Sequence, residues 1–215
     1  MSTPTTVVTR AGEIERLVAP LVLAFSTDVM VRWLFPEPRQ FLQYFPRVVQ
    51  VHANRVVEYG GAFHTTDFRG ASLWYPPGVE IDGESLAEVL EQAVEPRRLE
   101  IIAALFSQTA AHKPAGHHWY LRQVGVDPQV KGQGYGSLLL RPALDACDRA
   151  GVPAFLEATN TANRRFYERF GFETVGELRI EDSPTLWLMT RGAQEPLHET
   201  PALSLEGEAG GRGPV

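Results

Sequence analysis

The sequence predicts a mixed α/β (α+β) fold, with a central, mostly antiparallel, twisted sheet flanked by helices. Three observations carry this expectation. Strand-like and helix-like segments alternate along the chain, β-rich pairs of segments suggest one antiparallel hairpin early and another late, and a strong strand runs through a glycine turn directly into a helix. With 215 residues, 44% of them hydrophobic, the chain can bury one sizeable core.

Taken in order, 5–10 reads as a short strand and 12–25 as a helix in which Pro20 can impose a kink. Residues 26–40 break that pattern with two prolines and read as a loop or a short helix end, after which helical spacing returns over 40–56. Two β-rich runs around a polar turn make 61–78 a hairpin ended by Pro76-Pro77. Residues 84–111 are helical in composition and divided by Pro96. A strand at 117–128 stops at Pro128, and the helix at 137–151 closes on Gly151. That helix contains Pro142, which removes one hydrogen bond, crowds the Leu138 carbonyl and predicts a kink, convex toward solvent, at a cost of about 3 kcal/mol. A strand at 152–159, a helix at 160–172 capped by an Asn, and strands at 173–181 and 185–190 follow. Residues 1–191 are expected to form a single domain. Residues 192–215, rich in Gly, Pro and Glu, have little to bury and are expected to be a flexible tail.

A net charge of −6 argues against a nucleic-acid partner. The six histidines show no metal-ligand spacing, so no metal is expected. No window is long and apolar enough for a membrane span, and the first residues lack the pattern of a signal peptide; the expected location is cytoplasmic. The lone Cys147 excludes an intramolecular disulfide and reads as a small packing residue.

Chemistry concentrates at "VGVDPQVKGQGYGSLL", residues 124–139, where glycines stand at 132, 134 and 136. A strand, a tight turn and a helix start together make an anion site, because the first N–H groups of a helix lack partners and the helix dipole favours negative charge there. No Lys-Ser or Lys-Thr follows these glycines, so the P-loop pattern is not met. The third glycine comes one position too early for the dinucleotide fingerprint. A plain strand-to-helix turn is the bland alternative.

"QVKGQG" (129–134) matches Q/R-x-x-G-x-G/A, and "LEATNTANRRFYERFGF" (156–172) follows it. In both blocks the chain resembles the GNAT superfamily of acyl-CoA-dependent N-acetyltransferases, most closely its puromycin N-acetyltransferase-like members, over about residues 112–191. Arg122 and Gln123 depart from the small residues expected in those members, which argues against puromycin as the acceptor. The resemblance implies a GNAT fold with its two central strands splayed apart. It also implies acetyl-CoA as cosubstrate, direct transfer of the acetyl group to a primary amine of a small molecule, and a possible homodimer.

The resemblance assigns the pyrophosphate to the N–H groups of Gln129, Val130, Lys131, Gly132, Gln133, Gly134, Tyr135, Gly136 and Ser137. Main-chain groups of Val124, Gly125 and Val126 would hold the pantetheine arm and the developing oxyanion. Lys131 adds charge or is simply a solvated surface residue. Asn160 and Asn163 are candidates to contact the arm, although Asn160 also suits a helix cap. Tyr167 takes the position of the proton donor and shares a helix face with Asn163; the alternative is a core tyrosine beside Phe166 and Phe170. Glu157, between apolar neighbours on a strand, is the candidate general base, or else a structural carboxylate bonded to backbone, Arg164 or Arg165. His64 and His118 are weaker alternatives as base. Trp33, Phe35, Trp74 and Tyr75 are expected to wall the acceptor pocket, or to be core. Two rival functions remain at this stage, acetylation of a protein N-terminus or lysine, and binding of acyl-CoA or an amine without turnover.

Overall fold

The hairpin expected at 61–78 forms as β2 (Ala62–Thr65) and β3 (Gly70–Tyr75), paired antiparallel with Phe63 opposite Ser72. In the computed structural model, which describes residues 4–194, this hairpin belongs to a seven-stranded sheet. β1 (Thr6–Val8) lies outside β2, and β4 (Trp119–Val126) lies inside β3. Next come β5 (Ala154–Ala158), β7 (Leu186–Arg191) and β6 (Glu173–Leu178) at the far edge. Every pairing is antiparallel except β4 with β5. This parallel pair requires a crossover, supplied by the glycine turn and the helix behind it.

Two apolar layers sandwich the sheet. On one face, α1 (Ile14–Phe25), α3 (Pro38–Val57), α4 (Gly83–Glu91) and α5 (Pro96–Ala110) bury Leu17, Leu21, Phe45, Val49, Leu90 and Leu105 against Leu73, Tyr75, Tyr120 and Phe155. On the other, α6 (Tyr135–Ala150) and α7 (Thr161–Glu168) pack Leu140, Leu144 and Tyr167 against Trp74, Leu121 and Leu156. Cys147 is fully buried in this second layer, and burial pushes its thiol up to about 12, consistent with packing. Where a loop or short helix end was expected, α2 (Val29–Leu34) forms, because the Asp28 carboxylate accepts from the N–H groups of Met30 and Val31. Pro96 starts α5, in the first helical turn where its missing N–H costs nothing. Among the described residues no helix is long and apolar enough to cross a membrane. Of the expected tail, 195–215 lies outside the described residues.

Both α1, through Pro20, and α6, through Pro142, continue as single helices. The Leu138 carbonyl that Pro142 leaves without its helical donor instead accepts from the Thr6 hydroxyl of β1 at 2.8 Å. The neighbouring Leu139 carbonyl accepts from Ser72 of β3 at 3.0 Å. Pro142 thus ties α6 to the sheet. Thr6→Val, which keeps the branched shape and removes the hydroxyl, is expected to lower stability by about 1 kcal/mol in urea unfolding. An unchanged midpoint would mean that water serves the carbonyl equally well.

Candidate active site

Asp127-Pro128 ends β4 by chemistry local to the turn. The Asp127 carboxylate accepts from Gln129 N–H at 2.9 Å, and Pro128 opens one 3-10 turn, Pro128–Val130. Gly132 and Gly134 then adopt φ of +81° and +87°, the left-handed region that other residues enter at a cost. A Cβ built on either would meet nothing within 4 Å. Their glycines are therefore required by backbone conformation, with open space beside them rather than packing. Gly136 has another cause, since a Cβ there would stand 3.0 Å from the Phe166 ring of α7. Gly125 is likewise explained by packing, because a Cβ would meet Ala24 of α1 at 2.7 Å.

No side chain caps α6, and its first helical bond runs from Leu138 N–H to the Gly134 carbonyl. The N–H groups of Tyr135, Gly136 and Ser137 are thus left without helical acceptors at the positive end of the helix dipole. Uncapped donors beside bare left-handed glycines fit a diphosphate, which accepts hydrogen bonds and needs close approach to main chain. Lys131 is exposed beside this turn. The Tyr135 side chain turns away and donates to Asp67 at 2.7 Å, leaving only its main chain for a ligand.

β4 and β5 keep register over Trp119↔Ala154, Tyr120↔Phe155 and Leu121↔Leu156, and then part. Beyond that point the β5-facing edge of Val124, Gly125 and Val126 has no strand partner among the described residues. A register shift against β3 lies in the same place: Trp74 pairs with Leu121, yet Leu73 pairs with Gln123. Arg122 is the extra residue of this bulge. The bulge turns Arg122 and Gln123 toward the same face, where strict alternation would have opposed them.

A cavity of about 150 Å³ opens where the strands separate. Its body is apolar, with Phe25, Phe35, Phe45, Leu86 and Phe106 among its walls, and its polar groups are Asp28, Thr109, Arg122, Gln123, Glu157, Thr159, Asn163 and Tyr167. Glu157 comes from β5 and accepts from the Tyr120 hydroxyl at 2.8 Å, rather than from Arg164 or Arg165. Burial pushes its carboxyl above the ordinary value, against the pull of Arg122, the Tyr120 hydrogen bond and Lys113. Tyr167, 7% exposed, comes from α7, and its hydroxyl has no hydrogen-bond partner among the described residues. Burial first, then the Asp28 carboxylate, raises this phenol well above its usual value, so it stays protonated at neutral pH. Asn163, four residues earlier, shares the cavity, whereas Asn160 caps α7 by accepting from Asn163 N–H at 2.8 Å.

Behind Glu157 a hydrogen-bonded chain crosses the core. Arg122 donates from Nη1 to the Tyr120 hydroxyl at 3.4 Å and from Nε to His52 Nε2 at 3.2 Å. His52, fully buried, is held well below its usual pKa by burial and by Arg122, and is neutral. With Nε2 accepting, its proton sits on Nδ1 and faces the Tyr75 hydroxyl at 2.7 Å. Tyr75 and Tyr120 also line a second cavity of about 600 Å³ with Lys113 and His118.

The four aromatics expected around the acceptor are divided. Phe35 lines the first cavity. Trp33 lies outside it, donating to Asp182 at 3.2 Å on the surface. Trp74 is fully buried on the opposite face of the sheet, between β4 and α6, as the period-two alternation with Tyr75 requires. Tyr75 reaches only the second cavity. Neither His64, hydrogen-bonded to Thr9 at 2.9 Å, nor His118 touches Glu157's cavity. Sequence reasoning missed Asp28 and Thr159, which line the cavity, and Tyr120 and His52, which hydrogen-bond to Glu157 and Arg122 respectively, behind it. The Asp28 signal was present, an Asp standing before an apolar run as a helix cap.

Residues 100–172 match the family model described as Acetyltransferase (GNAT) family, a span that holds β4, the glycine turn and α7. An uncharacterized N-acetyltransferase of Schizosaccharomyces pombe is 31% identical over 180 residues, covering 75% of this chain and 71% of that protein. A second from the same organism is 32% identical over 125 residues, 53% of this chain and about half (51%) of that protein. Among solved structures, an acetyltransferase of Corynebacterium glutamicum described as histone acetyltransferase HPA2 and related acetyltransferase superposes with a TM-score of 0.68 at 21% identity, covering 91% of this chain and 99% of the other. The Drosophila melanogaster polyamine N-acetyltransferase, which forms N-acetylagmatine, superposes at 0.62 with 15% identity, 88% of this chain and all (100%) of that one. Arylalkylamine N-acetyltransferase 2 of Aedes aegypti gives 0.62 at 13% identity, covering 90% of this chain and 100% of the other. A strand that parts from its neighbour beside an uncapped glycine turn therefore stands in a chain whose sequence and fold both have acetyltransferase counterparts, and the chain belongs to the GNAT family of acetyltransferases.

Proposed function

We propose that the protein transfers an acetyl group from acetyl-CoA to the primary amine of a small molecule with an apolar body about the size of one ring. The observation that carries this reading is one partly open cavity, on the strand, β4, that leads into the bare glycine turn, whose walls hold both a carboxylate of raised pKa and an unpartnered phenol. A cavity of about 150 Å³ is of the volume that holds benzene in a protein interior, which favours a small acceptor over a bulky puromycin-like one or a protein segment. Polyamines, agmatine and arylalkylamines, named for the structural counterparts, fall in the same chemical class of small amines.

Acetyl-CoA, when bound, supplies the acetyl group as an activated thioester. The main chain of Gly132 to Ser137 holds the diphosphate, and the free edge of Val124–Val126 holds the arm and polarises the carbonyl. Glu157 takes a proton from the amine nitrogen as the nitrogen–carbon bond forms. Tyr167 gives its hydroxyl proton to the departing sulfur as the carbon–sulfur bond breaks, and solvent returns a proton from Glu157 to Tyr167. Apolar walls exclude bulk water, which would otherwise compete for the acyl group.

The test is release of free thiol from acetyl-CoA across a panel of small primary amines. Tyr167→Phe, which removes one oxygen and keeps the packing, is expected to lower kcat about a hundredfold. Turnover at the wild-type rate would remove Tyr167 as proton donor. Absence of release with every amine, while coenzyme A binds, would leave a binding protein in place of an enzyme.

A further inference from the structure

Two side chains in the acceptor cavity are poorly provided for by the protein itself. Gln123 is 6% exposed, and its Oε1 has no hydrogen-bond partner among the described residues. An amide buried in this state forfeits hydration without recompense unless something else fills the place. Arg122, half-buried, forms no ion pair with any described carboxylate. The Tyr120 hydroxyl stands between it and Glu157, and Arg122's other hydrogen bond goes to neutral His52. Its Nη2 has no acceptor among the described residues, and the guanidinium carbon lies 5.6 Å from the centre of the Phe106 ring, itself a cavity wall.

The bulge in β4 is what brings these two groups together on the cavity face. A guanidinium presents a planar fork of donors matched to a carboxylate, and it pairs most strongly where water is excluded. Glu157 lines the same cavity, so an acceptor held by its anion on Arg122 would offer its amine to the base. The body of the cavity, walled by Phe25, Phe35, Phe45, Leu86 and Phe106, is apolar, and its volume of about 150 Å³ is that of one ring-sized group.

Building on the acetyl-transfer reading above, we propose that the acceptor is an amine that also carries a carboxylate, an amino acid with an apolar, ring-sized side chain. Arg122 binds its carboxylate, and Gln123 meets a polar hydrogen of the same ligand. Arg122 is then a specificity-determining residue of the acceptor subsite.

The experiment compares phenylalanine with phenethylamine, the same molecule without the carboxylate, in two readouts on the full chain. Calorimetric binding is expected to favour phenylalanine at least tenfold. Thiol release from acetyl-CoA is expected to show the same preference in kcat/KM. Arg122→Met is expected to bring both ratios to about one, and Arg122→Lys, which keeps the charge and loses the fork, to restore only part of the preference. If phenethylamine binds as well as phenylalanine, or if phenylalanine does not bind at all, the carboxylate subsite is overturned whatever the turnover. If phenylalanine binds through Arg122 but no thiol is released, the subsite stands and the acetyl-transfer reading fails.

Discussion

Glu157→Gln is expected to lower kcat on the order of a thousandfold and to abolish the acidic limb of the pH profile of kcat/KM. In the wild type the rate should rise with pH as the Glu157 carboxyl ionises. That limb should lie above the ordinary carboxylate range, because burial outweighs the opposing pull of Arg122, the Tyr120 hydrogen bond and Lys113. Glutamine keeps the size and still offers an oxygen to the Tyr120 hydroxyl, now 2.8 Å from the carboxylate, so the core chain behind it survives. A large loss of rate together with a flat acidic limb identifies the base. A variant that is slow yet keeps the limb would show that another group, or the acceptor itself, titrates there.

Gly134→Val should weaken coenzyme A binding about a hundredfold. The left-handed φ of +87° penalises any residue with a Cβ by about 1–2 kcal/mol, and a β-branched side chain by more. Nothing within 4 Å opposes the added Cβ from the protein side, so the side chain occupies the space a diphosphate would use. The fold should lose only a few degrees of Tm while calorimetric titration with coenzyme A loses most of its heat. Equal affinity in the two proteins would move the diphosphate away from this turn. Gly136→Ala is a control of another kind: its contact is with Phe166, so its effect falls first on the packing of α6 against α7.

The parts of this site that rest on chemistry between near neighbours were legible in the sequence. Glycines before a helix, an Asn at a helix start and a proline at a strand end each act within a few residues, and the turn, α7 and the end of β4 form where those signals lie. Asp28 belonged to this class, but the prolines and aromatics that follow it drew the reading toward a loop. Trp74 and Tyr75 needed only the alternation of a strand to be assigned to opposite faces. The bulge at Arg122 is of another order. It arises from pairing with β3, far away in sequence, and no pattern within 117–128 announces that two successive side chains will share a face. The hydrogen-bonded row from Glu157 to Tyr75 was hidden for the same reason, since its members come from α3, β3, β4 and β5.

The parallel pairing of β4 with β5 spans three residue pairs, and it is the one seam joining two antiparallel halves of the sheet. Past Leu121 and Leu156 the facing edges hold amides and carbonyls with no strand opposite among the described residues. A ligand whose own amides lie along that opening acts as a surrogate strand and stitches the halves together. Ligand occupancy and resistance to unfolding then become one quantity, worth about 2.7 kcal/mol at a hundredfold excess over Kd. Denaturant should begin its work on the ligand-free protein at this seam.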